Sequence, residues 1–241
     1  MGRAYERAPL VESLVEFGFV EDPTWDWTVP GLLYSRMSAK YPERREQRGV
    51  TVRLDKAIEK MELSTADFDT RRLQFVSEDR KSLAQIGPNL LVVNRLAPYP
   101  GWGSFKAQVN DVLTSYGEVV TSKPLIRNLM LRYINKVVVP KGPIDLESFF
   151  NLYPHLPTDR ELTQFLCRNE LAYPEDSAVV AITMASDGPS IVLDIQFSSH
   201  REPFDLGSAD SIMDAGHMRV SEMFEVCITD KLRDSFGGAG Q

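Results

Sequence analysis

The chain is poor in sulfur and imidazole: two cysteines and three histidines among 241 residues. Cys167 and Cys227 stand far apart without a CxxC, so neither a disulfide framework nor a thiolate zinc site is expected. Both are read as reduced core residues of a cytoplasmic protein. His155, His200 and His217 are equally isolated, and no HExxH or HxH occurs, so no metal site is expected. Asp194 and Asp205 near His200 read as a solvated strand end before an acid–base set. The glycine signatures GxxxxGK[ST], GxGxxG and GxSxG are missing, which argues against P-loop, Rossmann and α/β-hydrolase chemistry. No cofactor is expected.

Long apolar runs are missing too. No stretch reaches the length of a membrane span, and the opening MGRAYERAPLVE lacks the apolar segment of a secretory leader. Glu6 stands where myristoylation favours Ser or Thr. Positive charge is scarce. The net charge is −7; residues 1–120 carry 16 basic and 17 acidic side chains (−1), and residues 121–241 carry 11 and 17 (−6). Phosphate neutralisation supplies most non-specific nucleic-acid affinity, so an acidic chain makes a poor generic binder.

What is present is an ordinary core-forming composition, 43% hydrophobic and 25% charged. Alternation over 9–20 predicts a strand with Val11, Val15, Phe17 and Phe19 inside and Glu12 and Glu16 outside. Leu32, Leu33, Met37 and Tyr41 recur at helical spacing, and Arg44, Arg45 and Arg48 suit that helix's C-terminus. Strands are expected at 50–54, at 71–79 and on both sides of Gly87-Pro88-Asn89. A helix follows at 104–117, with Ser104 as N-cap, Gly117 as stop and Phe105, Val109, Val112, Leu113 and Tyr116 buried. The run 125–140 reads as the long central strand. A short helix at 144–152, strands at 162–173, 177–186 and 190–199, and a helix over 208–236 complete the chain.

The halves 1–120 and 121–241 repeat one order: strand, helix, antiparallel strands, long helix. Phe105, Val109 and Leu113 fall on Phe224, Ile228 and Leu232 at an offset of 119. The expected fold is α+β: one curved antiparallel sheet built from two pseudo-repeats in one compact domain, with the long helices on one face. By topological analogy this resembles the TATA-binding protein.

Two motifs invite a function. In 98-PYPGWGSF-105 the aromatics Tyr99, Trp102 and Phe105 read first as a peg fixing a helix to the sheet, and second as a binding platform. In 127-RNLMLRYINK-136, Arg132 shares an apolar face with Ile126, Met130, Ile134 and Val138. A buried guanidinium needs a carboxylate, so Arg132 or Arg127 is expected to pair with Glu12 or Glu16. The alternative is that Arg132, Tyr133 and Asn135 line a pocket for an anion.

The segments 9-PLVESLVEF-17, 75-FVSED-79, 98-PYPGW-102, 132-RYINK-136 and 217–237 together resemble a sporadically distributed family of uncharacterised bacterial proteins with no assigned catalytic residues or substrate. Such scattered distribution implies travel with mobile elements, toxin–antitoxin pairs or phage defence. The expected function is therefore a non-enzymatic recognition subunit that binds another protein, such as a toxin or defence effector, through its sheet or aromatic loop. The second reading is a nucleic-acid or nucleotide binder using Arg44, Arg45, Arg48, Arg71 and Arg72. A third is a nuclease or transferase whose site is assembled from distant residues. No membrane partner is expected, and self-association is left open.

Overall fold

Strand alternation at the N-terminus fixes which way the protein faces. In β1 (Leu10–Phe19), Val15, Phe17 and Phe19 are buried on one side of the sheet. Val11, expected to join them, is exposed, because a register irregularity between Leu10 and Glu12 shifts the phase and gives Leu10 the core position. The computed structural model, which describes residues 5–48, 71–138, 146–154 and 164–237, places β1 inside a single antiparallel sheet. The other strands are β2 (Glu43–Arg48), β3 (Arg71–Val76), β4 (Ser82–Gly87), β5 (Leu90–Leu96), β6 (Leu125–Val138), β7 (Leu166–Tyr173), β8 (Ala178–Asp187), β9 (Ser190–Ser199) and the two-residue β10 (Phe204–Asp205). The spatial order is β2-β3-β4-β5-β1-β6-β9-β8-β7, with β10 beside β6. The sheet is curved and open.

Turn chemistry joins neighbouring strands. Pro88 and Asn89 (φ 54°) link β4 to β5, and Gly188 (φ 56°) with Pro189 links β8 to β9. Both positive-φ residues are types that tolerate the left-handed region.

Five α-helices occur among the described residues: α1 (Val29–Met37), α2 (Trp102–Gly117), α3 (Leu146–Phe149), α4 (Ala209–Cys227) and α5 (Asp230–Ser235). Pro30 opens α1, where its missing N–H costs nothing. The helix α2 buries the five residues expected, against β5; α4 buries Ile212, Met213, Val220 and Met223 against β6 and β9. Both therefore lie on the same side of the sheet, over Leu91, Val93, Leu131, Ile195 and Phe197. A Cβ on Gly216 would stand 2.9 Å from the Phe197 ring, so glycine is what lets α4 approach β9 so closely. No helix among the described residues is long and apolar enough to cross a membrane.

Several sequence expectations need correction. Arg44, Arg45 and Arg48 do not end a helix; they lie in the edge strand β2, since α1 stops at Met37 and the chain re-extends after Pro42. Ser104 is not the cap of α2, which starts two residues earlier behind Gly101 at φ 89°. The last helix is interrupted: Ile228 is extended, bridges to Phe150, and Thr229 caps a new helix through Leu232 N–H. The offset of 119 thus sets helical Val109 against non-helical Ile228. The strand expected at 50–54 lies outside the described residues.

Candidate functional site

Because β6 is a strand, consecutive residues of 132-RYIN-135 point to opposite sides of the sheet. Tyr133 (7% exposed) and Asn135 (4%) turn toward the helices; Arg132 and Ile134 turn away from them. The three polar residues expected to line one pocket are therefore divided between two faces. Two separate polar constellations result, one on each side of β6.

On the helix side, Tyr133 meets the aromatic loop. Tyr99 Oη and Tyr133 Oη are hydrogen-bonded at 2.8 Å, and Tyr133 Oη reaches Nδ1 of His217 on α4 at 2.9 Å. Trp102 stacks on the His217 ring, with centroids 4.5 Å apart and planes 10° apart. Its indole N–H donates to Asp214 at 2.9 Å, and Lys106 bridges Asp214 and Asp210 at 2.7 Å each. Phe105 closes the cluster from below and is fully buried. Gly101, at φ 89°, turns the chain between Tyr99 and Trp102, which fall on the same seam.

The electrostatics of this cluster suit packing better than proton transfer. Burial pushes His217 down to about 4, against the opposing pull of Asp214. Burial also pushes Tyr99 up to about 12 and holds Tyr133, further restrained by Tyr99, well above the ordinary phenol range. All three rings are uncharged at neutral pH, and a base titrating near 4 accepts protons weakly there. The loop is the peg between α2, α4 and β6, with Tyr99 and Trp102 half-buried.

On the opposite side, Arg132 forms a two-pronged ion pair with Asp194 of β9, Nε–Oδ1 at 2.8 Å and Nη2–Oδ2 at 2.5 Å. The hydrogen bonds that the guanidinium donates to Asp194, ahead of desolvation, hold it firmly protonated; Glu12 and Glu16 add weaker attraction. The expected partners were Glu12 and Glu16. Asp194 takes that role because β9 flanks β6 on the other side and sets its carboxylate opposite Ile134, one step along from Arg132. Glu12 instead accepts from Asn94 Nδ2 at 2.6 Å, and Asn94 accepts from Gln85 at 2.9 Å. Met130, Ile134 and Val192 surround the Arg132–Asp194 pair, half-exposed, and no described helix covers them.

Three of the remaining sequence candidates, Arg44, Arg45 and Arg71, are engaged elsewhere. Arg44 lies over the Tyr34 ring at 4.5 Å, Arg45 bonds Glu43 at 2.8 Å, and Arg71 bonds Glu46 at 2.6 Å and covers Trp27. Arg72 follows Arg71 on β3 with its side chain half-exposed. The surface groove among Lys40, Ser77, Glu78, Asp79, Ser82 and Arg95 mixes two cations with two carboxylates, and Arg95 is already bonded to Ser82. Among the described residues no three His, Cys, Asp or Glu side chains gather to hold a metal; His155 lies outside them.

Sequence reasoning set Asp194 aside as a solvated strand end and His217 as isolated, and did not single out Asp214; Asp194 lies instead within β9, mostly buried against Arg132. Asp214 and His217 had a legible signal: Asp210, Asp214, His217 and Ser221 recur at helical spacing and form one polar stripe on α4. Asp194 had none, because cross-strand neighbours are fixed only by register. No protein-family model matches the chain, and no curated protein matches it.

Proposed function

We propose that the chain is a non-catalytic recognition protein that docks another protein on the face of β6, β9 and β8 that carries no helix among the described residues, the helix-free face below. One observation carries this reading: the Arg132–Asp194 pair, with Arg132 36% exposed and Asp194 13%, sits among Met130, Ile134 and Val192 on a face without a described helix. Protein interfaces favour this mixture of arginine, methionine and aliphatic surface, and a preformed ion pair loses little side-chain entropy on binding. The aromatic loop is the weaker candidate, since its rings are committed to His217, Tyr133 and Asp214.

The nucleic-acid reading has less behind it. Glu12, Glu16 and Asp194 share the helix-free face with Arg132, and carboxylates repel phosphate. The arginines of β2 and β3 are interleaved with Glu43 and Glu46.

The platform itself is read as two pseudo-repeats, residues 1–120 and 121–241. In each half the first strand (β1, β6) is rejoined by the last long strand (β5, β9), and a long helix follows (α2, α4). That order supports the analogy with the TATA-binding protein's saddle. The toxin–antitoxin or defence setting rests on the family resemblance alone.

The test is capture of a native binding protein by the wild-type chain and by Ile134→Arg, beside oligonucleotide titrations over a salt series. Capture by the first and loss by the second supports the docking face. Oligonucleotide affinity that falls steeply with salt, and with substitution of Arg45 or Arg72, supports the nucleic-acid reading instead.

A further inference from the structure

Among the described residues the sheet ends on one side in β7, a long and largely exposed strand. All eight residues of β7 pair with β8, their one partner among the described strands, and Leu166, Arg168, Asn169, Glu170, Leu171 and Ala172 are exposed. Leu166 is 62% exposed and Leu171 40%, whereas isolated edges are usually shortened or guarded against pairing.

The backbone phase of this edge is fixed. Phe165 O accepts from Ser186 N–H at 3.1 Å, so its peptide groups turn toward β8. Alternation along an antiparallel ladder then turns 167, 169, 171 and 173 inward as well, and leaves the N–H and C=O of 166, 168, 170 and 172 pointing outward. A second antiparallel strand can use all of these groups only if outward residues meet outward residues.

The geometry points to a second copy of this chain as the occupant, paired antiparallel through β7 about a two-fold axis at Asn169. Arg168 then stands opposite the Glu170 of the other copy, and Glu170 opposite its Arg168. Leu166 meets Ala172, and Leu171 meets Cys167. Arg168 and Glu170 lie on one face of the sheet, so the crossed pairs sit side by side on that face. Moving the axis by one residue to 168 or 170, the neighbouring positions with correct backbone phase, sets like charges opposite each other instead. The present internal contacts of Arg168, to Glu170 at 3.0 Å and Thr183 at 3.0 Å, are exposed and readily exchanged.

An isologous contact closes on itself and joins the two sheets into one, rather than growing a fibre. One strand edge is a small contact, so the association is reversible and visible as a function of concentration. It does not depend on what docks on the helix-free face.

Sedimentation velocity across a concentration series tests the pairing. The wild-type chain of 27.2 kDa is expected to shift toward twice that mass as concentration rises. Arg168→Glu and Glu170→Arg are each expected to remain monomeric, because each sets like charges opposite. An equimolar mixture of the two is expected to regain the dimer, since each then supplies the complement of the other. A wild-type chain that stays monomeric throughout, a dimer indifferent to both substitutions, or a mixture that fails to associate overturns the proposal. Circular dichroism of each variant confirms that loss of mass is not loss of fold.

Discussion

Trp102 lies flat over His217, 4.5 Å between ring centres, while its N–H is held by Asp214 one helical turn away. One side chain thereby ties the start of α2 to the middle of α4. Trp102→Ala is expected to lower stability by about 2–3 kcal/mol, somewhat below the loss for a fully buried tryptophan. Trp102→Phe keeps the stack and loses the hydrogen bond, for about 1 kcal/mol. Urea unfolding monitored by far-UV dichroism measures both.

His217 makes the same seam sensitive to acid. Its folded value near 4 lies below the ordinary 6.5, so the unfolded chain binds more protons across that interval. Stability is full above about pH 6.5 and falls as pH drops toward 4, by no more than about 3 kcal/mol from this residue. Asp22, Asp79 and Asp210, each lowered by hydrogen bonds from neighbours, add their losses at lower pH. In His217→Asn the melting temperature is expected to vary less between pH 6.5 and 4 than in wild type. Thermal melts over that range decide it.

Much of the platform could be read from the residues, and the reasons are local. Alternation in 10–19, the turn residues at 87–89 and 187–189, and the apolar stripe of α2 each express one physical preference within a few positions. The peg role of Tyr99 and Trp102 was legible because large rings flanked by prolines and glycines have few uses besides packing. What failed was whatever depends on phase or on distant neighbours. One irregularity near Val11 inverted its exposure, and strand periodicity could say that Arg132 and Ile134 share a face but not which face the helices cover. The break at Ile228 was hidden because its apolar side chain fits a helical stripe and an extended bridge equally well.

The Arg132–Asp194 pair should outrank the glutamates first suspected. Asp194→Ala is expected to cost about 1–2 kcal/mol, as for a lost hydrogen bond to a charged group. Double-mutant cycles with Arg132→Ala should give a larger coupling for Asp194 than for Glu12 or Glu16. Equal or greater coupling to either glutamate contradicts the pairing.

Gly216 is a packing requirement. Alanine gains helix propensity worth about 1 kcal/mol but presses on the fully buried Phe197 ring. Gly216→Ala is expected to be net destabilising by about 1 kcal/mol, and Phe197→Leu in the same chain to recover part of that loss. Chemical denaturation of the single and double variants reads both.

The most direct test of recognition through the sheet compares two arginine insertions, measured by calorimetric titration against the native binding protein. Met130→Arg alters the helix-free face; Met218→Arg alters the outer side of α4, where Met218 is 51% exposed. Affinity is predicted to fall about tenfold or more for Met130→Arg, with the melting temperature unchanged, and to stay at the wild-type level for Met218→Arg. Full affinity in Met130→Arg with loss in Met218→Arg would contradict the account and move the binding surface to the helices.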